Sequence, residues 1–291
     1  MVTLAGARTQ DELTEAMVAE ITLPSGSPDI GKYERALLDA LPGDRPRLAY
    51  PLQPDLIGEA FVLEVLREKS PDQQQNTILR WHAHWPRSVE DALIRIIQDF
   101  GERPRDMAVA DWFMAVIAAL TNINDLIGLA DRMPEQTVNL REAAAHLQKR
   151  IASELRANTG IFADDHMREI RLVQALNNLA LRLSDIGDFN DAIIYAREAV
   201  DLSRAALQFY PDTFRSILST VLDTLFYCFD EAGRRRKALA AITESVEILR
   251  SLAKEKPEII LPDLERVDIH LVQMNALTRQ RIERKALGVW S

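Results

Sequence analysis

Two glycines 46 residues apart, Gly187 and Gly233, sit in matching surroundings, and that stride restricts the fold more than any other feature of the chain. Leu176, Leu179, Ala180, Leu183, Phe189, Ala192 and Ala199 surround the first. Leu222, Leu225, Phe229 and Ala238 hold the corresponding places around the second. Large apolar side chains three and four residues apart mark the inward stripe of a helix. A glycine at the end of such a stripe is where the helix stops, because glycine alone takes left-handed backbone at no steric cost. Small alanines beyond it let a second helix fold back in close contact. Pro211 and Pro257 are again 46 apart and punctuate the ends of the second helices. Two markers with one spacing define a repeated helical hairpin. A hairpin buries its apolar face only against the next one, so the expected fold is all-α, an α-solenoid of helical hairpins.

The run Leu176–Ala192 resembles the middle of a tetratricopeptide repeat, with Ala180, Ala192 and Ala199 at the close-contact positions and Phe189 at the aromatic one. The stride exceeds the roughly 34 residues of the standard repeat, which implies longer helices on the same plan. The expected organisation is an irregular N-terminal segment over 1–50, degenerate hairpins over 51–160, and tetratricopeptide-like repeats over 161–291. A capping helix closes the last part, with Leu264, Val267, Leu271 and Met274 at helical spacing and Asp268 where the stride predicts an apolar residue.

Elsewhere the helix signals are local. Thr9 to Glu12 reads as a capping box opening a helix to about residue 21, a further helix spans 32–41, and residues 48–51 form a short extended piece. Asp55 caps a helix that is apolar nearly all round, which predicts burial between neighbours. Ser70 followed by Pro71 starts another. Ser88 opens the next, with Ala92, Leu93, Ile96, Ile97 and Phe100 inward, and segments 105–120, 122–132 and 138–157 continue the series. Glycine is scarce at 11 of 291 residues and alternating β-branched runs are nearly absent, in keeping with helices throughout.

The string Pro51-Leu52-Gln53-Pro54-Asp55-Leu56-Ile57-Gly58-Glu59 resembles the junction between the winged-helix segment and the helical sensor arm of bacterial signal-transduction ATPases with numerous domains, the STAND class. On that resemblance Leu4-Ala5-Gly6 and the following helix are a winged-helix remnant, and the repeats are the sensor. The class includes regulators and anti-phage defence proteins whose arms restrain the ATPase until a trigger binds. The resemblance implies an ATPase ahead of residue 1, so the chain is either a piece of a longer protein or a stand-alone partner of an ATPase supplied in trans.

Nothing in the sequence argues for catalysis, a cofactor or a metal. Gly26-Ser27-Pro28-Asp29-Ile30-Gly31-Lys32 matches the phosphate-cradling loop, but Tyr33 replaces the hydroxyl that holds magnesium, and no buried strand precedes it. A nucleotide-binding enzyme built on that loop is one alternative. His82 and His84 are two apart and so point to different sides of a helix; metal pairs need three or four. They read as partly exposed histidines beside a Trp81/Trp85 packing face. Isolated His146, His166 and His270 lack ligand partners at metal spacing. The single cysteine, Cys228, reads as a buried inert thiol, and with it a cytoplasmic setting. No apolar run is long enough to cross a membrane. A net charge of −9 disfavours nucleic acid and anionic membranes at long range.

Two surfaces stand out. In a repeat array the inner groove is lined by Gln174, Asn177, Asn178, Leu181 and Ser184, then by Thr220, Asp223, Thr224, Tyr227 and Asp230. Such polar side chains suit a protein or peptide ligand, whose backbone they can hydrogen-bond; plain solvation is the competing reading. Arg234, Arg235, Arg236 and Lys237 open a helix, which the helix dipole opposes, and Arg279, Arg281, Arg284 and Lys285 end the next. Both clusters are expected at one edge as an anion-binding site, with a nucleic-acid binder as the second alternative.

Overall fold

The computed structural model describes residues 8–9, 11–12, 15, 35–36, 38–41, 48–49, 55–100, 108–134, 137–157 and 165–286, the last ten as backbone only. A two-residue antiparallel pair joins β1 (Arg8–Thr9) to β2 (Leu48–Ala49). The other described residues are helices and the turns between them. The chain divides into two compact units, Met1–Ala143 and Ala144–Ser291.

In the first unit the helices are α1 (Asp55–Arg67), α2 (Pro71–His84), α3 (Pro86–Phe100), α4 (Ala108–Ala119) and α5 (Ile123–Arg132). Thr9 and Glu12 make the reciprocal capping exchange, at 2.8 and 3.4 Å, and Ser70 and Gln73 repeat it ahead of α2 at 3.1 and 3.4 Å. α2 packs on both α3 and α4, α3 packs on α4, and α1 and α5 each touch α3. Ile78, Leu93, Ile96, Phe113, Ile117 and Leu126 form the fully buried centre.

Two expectations fail here. α1 is not buried all round: Val62, Leu63 and Leu66 face inward, while Leu56, Ile57, Phe61 and Val65 are exposed. One face of a helix meets its neighbour, and the sequence overfills that face. Glu59 lies on the buried side beside Arg95 at 2.8 Å, and burial pushes its carboxyl pKa above the ordinary range despite the guanidinium. His82 is not partly exposed either. It is buried, and its Nε2 lies 2.8 Å from Glu90 Oε1 across the α2–α3 corner, whereas His84 is exposed.

The second unit holds most of α6 (Arg141–Ala157) and all of α7 (Asp165–Ile186), α8 (Phe189–Ala206), α9 (Pro211–Glu231), α10 (Arg235–Ala253) and α11 (Pro257–Ala286). From α7 onward each helix packs on the next, and α7 also packs directly on α9. α7 and α9 end in the same turn. Gly187 and Gly233 have φ of 92° and 67°. Asp188 N donates to Leu183 O and Gly187 N to Ser184 O; Arg234 N to Phe229 O and Gly233 N to Asp230 O repeat the pattern. This closes the last carbonyls of each helix and reverses the chain. Ala180, Ala192, Ala196, Ala199 and Ala238 are fully buried at the crossings. Pro211 and Pro257 open α9 and α11, where a missing N–H costs nothing.

Ion pairs link alternate helices across 42 and 40 residues of sequence. Arg156 on α6 grips both oxygens of Glu198 on α8, each at 2.6 Å. Arg204 on α8 grips both oxygens of Glu244 on α10, each at 2.8 Å. Asp268 breaks the apolar pattern of α11 because Arg250 on α10 pairs with it at 2.9 Å.

Cys228 is fully buried, 4.0 Å from the Ala180 carbonyl, and burial pushes its thiol up to about 12. The thiolate is the reactive form. Folded protein at pH 8 is therefore expected to leave a disulfide-exchange chromophore unchanged over hours, and denatured protein to release one equivalent. Prompt reaction of the folded chain contradicts this packing.

Candidate protein-binding face

α7 packs on α9, α8 lies against both, and α10 lies against α9 and α11. A methyl group and a thiol, Ala180 and Cys228, let α7 and α9 approach closely. α11 joins through Arg266 Nη1, which donates to Asp223 Oδ2 at 2.6 Å. The His270 ring stacks on Phe226 with centroids 5.7 Å apart and meets Tyr227 edge-on at 6.2 Å.

Of the residues read as groove lining, Gln174, Asn178 and Leu181 on α7 and Thr220, Tyr227 and Asp230 on α9 are exposed. Ser184 is half-buried, and Asn177, Asp223 and Thr224 are buried between the helices. Asn177 and Asp223 occupy equivalent positions one stride apart. Each has one buried oxygen, Oδ1, without a hydrogen-bond partner, and Nδ1 of His270 is in the same condition. Leaving a buried polar atom unpaired costs about 1–3 kcal/mol, so these three atoms are the least satisfied points of this face.

Arg266 and His270 belong to the same face and are absent from the groove lining expected from the sequence. The signal existed: they lie one further stride beyond Thr220 and Thr224. The break at Asp268 hid the register.

The basic run is placed in part. Arg234 caps α10 without a side-chain capping bond and donates to Asn190 Oδ1 at 2.8 Å. Arg235 and Arg236 are exposed, and among the described residues neither is ion-paired. Lys237 turns back, its Nζ 5.8 Å from the centre of the Phe229 ring. The side chains of Arg279, Arg281, Arg284 and Lys285 and the whole Gly26–Lys32 loop lie outside the described residues. Among the described residues no group of three or more His, Cys, Asp or Glu side chains could hold a metal, and no helix is long and apolar enough to cross a membrane.

Paired helices of 18 to 22 residues joined by glycine turns, with a second rank of helices behind a first, define a tetratricopeptide-like helical repeat. No family model matches the chain, and the curated proteins contain no match to it. Among solved structures it is similar to aspartyl phosphate phosphatase F from Bacillus subtilis, with a TM-score of 0.42 and 12% identity over 95% of this chain and 71% of that one. A likeness of that degree says nothing about activity or partners.

Proposed function

We propose that this chain is a non-enzymatic protein-interaction and ligand-sensing module, the sensor arm of a bacterial STAND-type signalling or defence ATPase supplied in cis or in trans, and that it works in the cytoplasm. The observation carrying the interaction role is the face of α7, α9 and α11, where Asn177 Oδ1 and Asp223 Oδ1 are buried without donors beneath exposed Asn178 and Tyr227. Both are acceptors at repeated spacing. The matching trigger is an extended peptide or protein segment that presents backbone N–H groups at intervals, with an apolar or aromatic side chain resting on Tyr227. The link to the ATPase class is supported by the Pro51–Glu59 string alone.

The face is tested by panning a displayed peptide library against the purified chain and measuring the enriched peptides by calorimetry. Asn178→Ala with Tyr227→Ala, both exposed and so removable without a cavity, is expected to weaken binding at least about tenfold, equivalent to about 1.4 kcal/mol. Enriched peptides that bind the double variant with unchanged affinity place recognition elsewhere. The ATPase link has a separate check in the coding sequence upstream of Met1. A phosphate-loop ATPase there, in frame or as an adjacent gene, supports the sensor role; its absence removes that role and leaves the binding module.

A further inference from the structure

A second site lies on the other side of α9. With successive residues turned by about 100°, Leu222, Leu225 and Phe229 point away from Thr220, Thr224 and Tyr227. They floor a cleft of about 500 Å³ between α8 and α10, which Val200, Ala240 and Ala241 also line. That volume falls within the usual 300–1,000 Å³ of small-molecule pockets.

The charges around the cleft are divided unequally. Arg204 is already paired: it holds Glu244 at 2.8 Å and lies 3.9 Å from Asp201. Those are the two carboxylates of the cleft. Arg197 and Lys237 are left over, and among the described residues neither is in an ion pair. Both sit against one ring, with Arg197 Cζ 5.3 Å and Lys237 Nζ 5.8 Å from the Phe229 centroid. The ring face attracts each cation, and no carboxylate among the described residues neutralises either. An anion within reach of both supplies the missing negative charge.

We infer that the α8–α9–α10 cleft binds a small amphipathic carboxylate, its acid group held by Arg197 and Lys237 and its apolar body lying on Leu222, Leu225 and Val200. A monoanion fits better than a dianion. Three cations and two carboxylates line the cleft, so one negative charge balances it and a second meets Asp201 and Glu244. Val200, Leu222 and Leu225 add a small apolar contact that a bare inorganic anion does not make. This site is independent of the peptide face, since it uses the opposite side of α9.

The experiment titrates the full chain with decanoate by calorimetry, beside decan-1-ol and decyl phosphate, with circular dichroism confirming that each variant is folded. The expected result is one equivalent of decanoate bound, with decanol at least tenfold weaker and decyl phosphate no tighter. Arg197→Ala with Lys237→Ala is expected to weaken decanoate at least tenfold. Ala240→Trp, which keeps both cations and fills the cleft, is expected to abolish binding. The inference is overturned if millimolar decanoate gives no binding, if decanol or decyl phosphate binds as well as or better than decanoate, or if both variants bind like the parent chain.

Discussion

Replacing Arg132 with methionine is expected to destabilise the Met1–Ala143 unit by about 3 kcal/mol, the low end of what breaking a buried ion pair costs. Glu90 is 3% exposed, and its carboxylate has two partners, His82 Nε2 at 2.8 Å and the Arg132 guanidinium. Arg132 also donates to Asp91 at 2.9 Å and to the Gly128 carbonyl at 2.8 Å, so one fork ties α5 to two acids of α3 and to its own helix. Methionine keeps most of the aliphatic stem and removes the charge, leaving the buried Glu90 carboxylate with His82 but without its guanidinium. The Arg132 side chain is 30% exposed, so water reaches the stranded carboxylate and the loss stays at the lower end of the range. Urea unfolding followed by the fluorescence of Trp81 and Trp112, both in this unit, measures it. Arg132→Met with Glu90→Gln is expected to recover at least half the loss, because an amide has no charge to strand. An unchanged midpoint for Arg132→Met would remove the ion pair as a support of the unit.

That network shows where sequence reading stops. Glu90 and Arg132 are 42 residues apart, and His82 and Glu90 are eight apart across a helix boundary. Neither separation is a helical contact spacing, so no periodicity announces them. The hairpins of the second unit were legible because one stride places leucines, alanines and a glycine together, and each residue type is required by its own packing or backbone constraint. The same logic misjudged α1, whose composition exceeds what its single packed face can bury. For the candidate sites, the stride identified the polar side of α7 and α9 but not the burial of Asn177 and Asp223, which depends on how closely Ala180 and Cys228 let the helices approach. Lys237 was legible only as the last of a basic run. Its turn toward Phe229, and the convergence of Arg197 from another helix on that ring, follow from the crossing of α8, α9 and α10.

Three glycine-to-alanine substitutions are expected to separate backbone demand from helix propensity, with opposite signs. At Gly187 and Gly233 the added Cβ meets no atom within 4 Å, so sterics with neighbours contribute nothing. The cost is the left-handed backbone, φ 92° and 67°, at about 1–2 kcal/mol for each residue. Gly128 is different. It lies inside α5, and its Cβ would meet only Arg132 Nη1 at an ordinary 3.7 Å. Alanine there is expected to stabilise by about 0.5–1 kcal/mol, the propensity difference in a helix interior. Thermal unfolding of the three single variants reads the signs directly. Because Arg234 beside one turn bonds Asn190 beside the other, the double variant Gly187→Ala, Gly233→Ala is expected to depart from the sum of the singles, the two turns sharing a contact. If Gly187→Ala and Gly233→Ala unfold at the parent temperature, these residues are not what ends α7 and α9. The hairpin stride would then rest on the leucine and alanine packing alone.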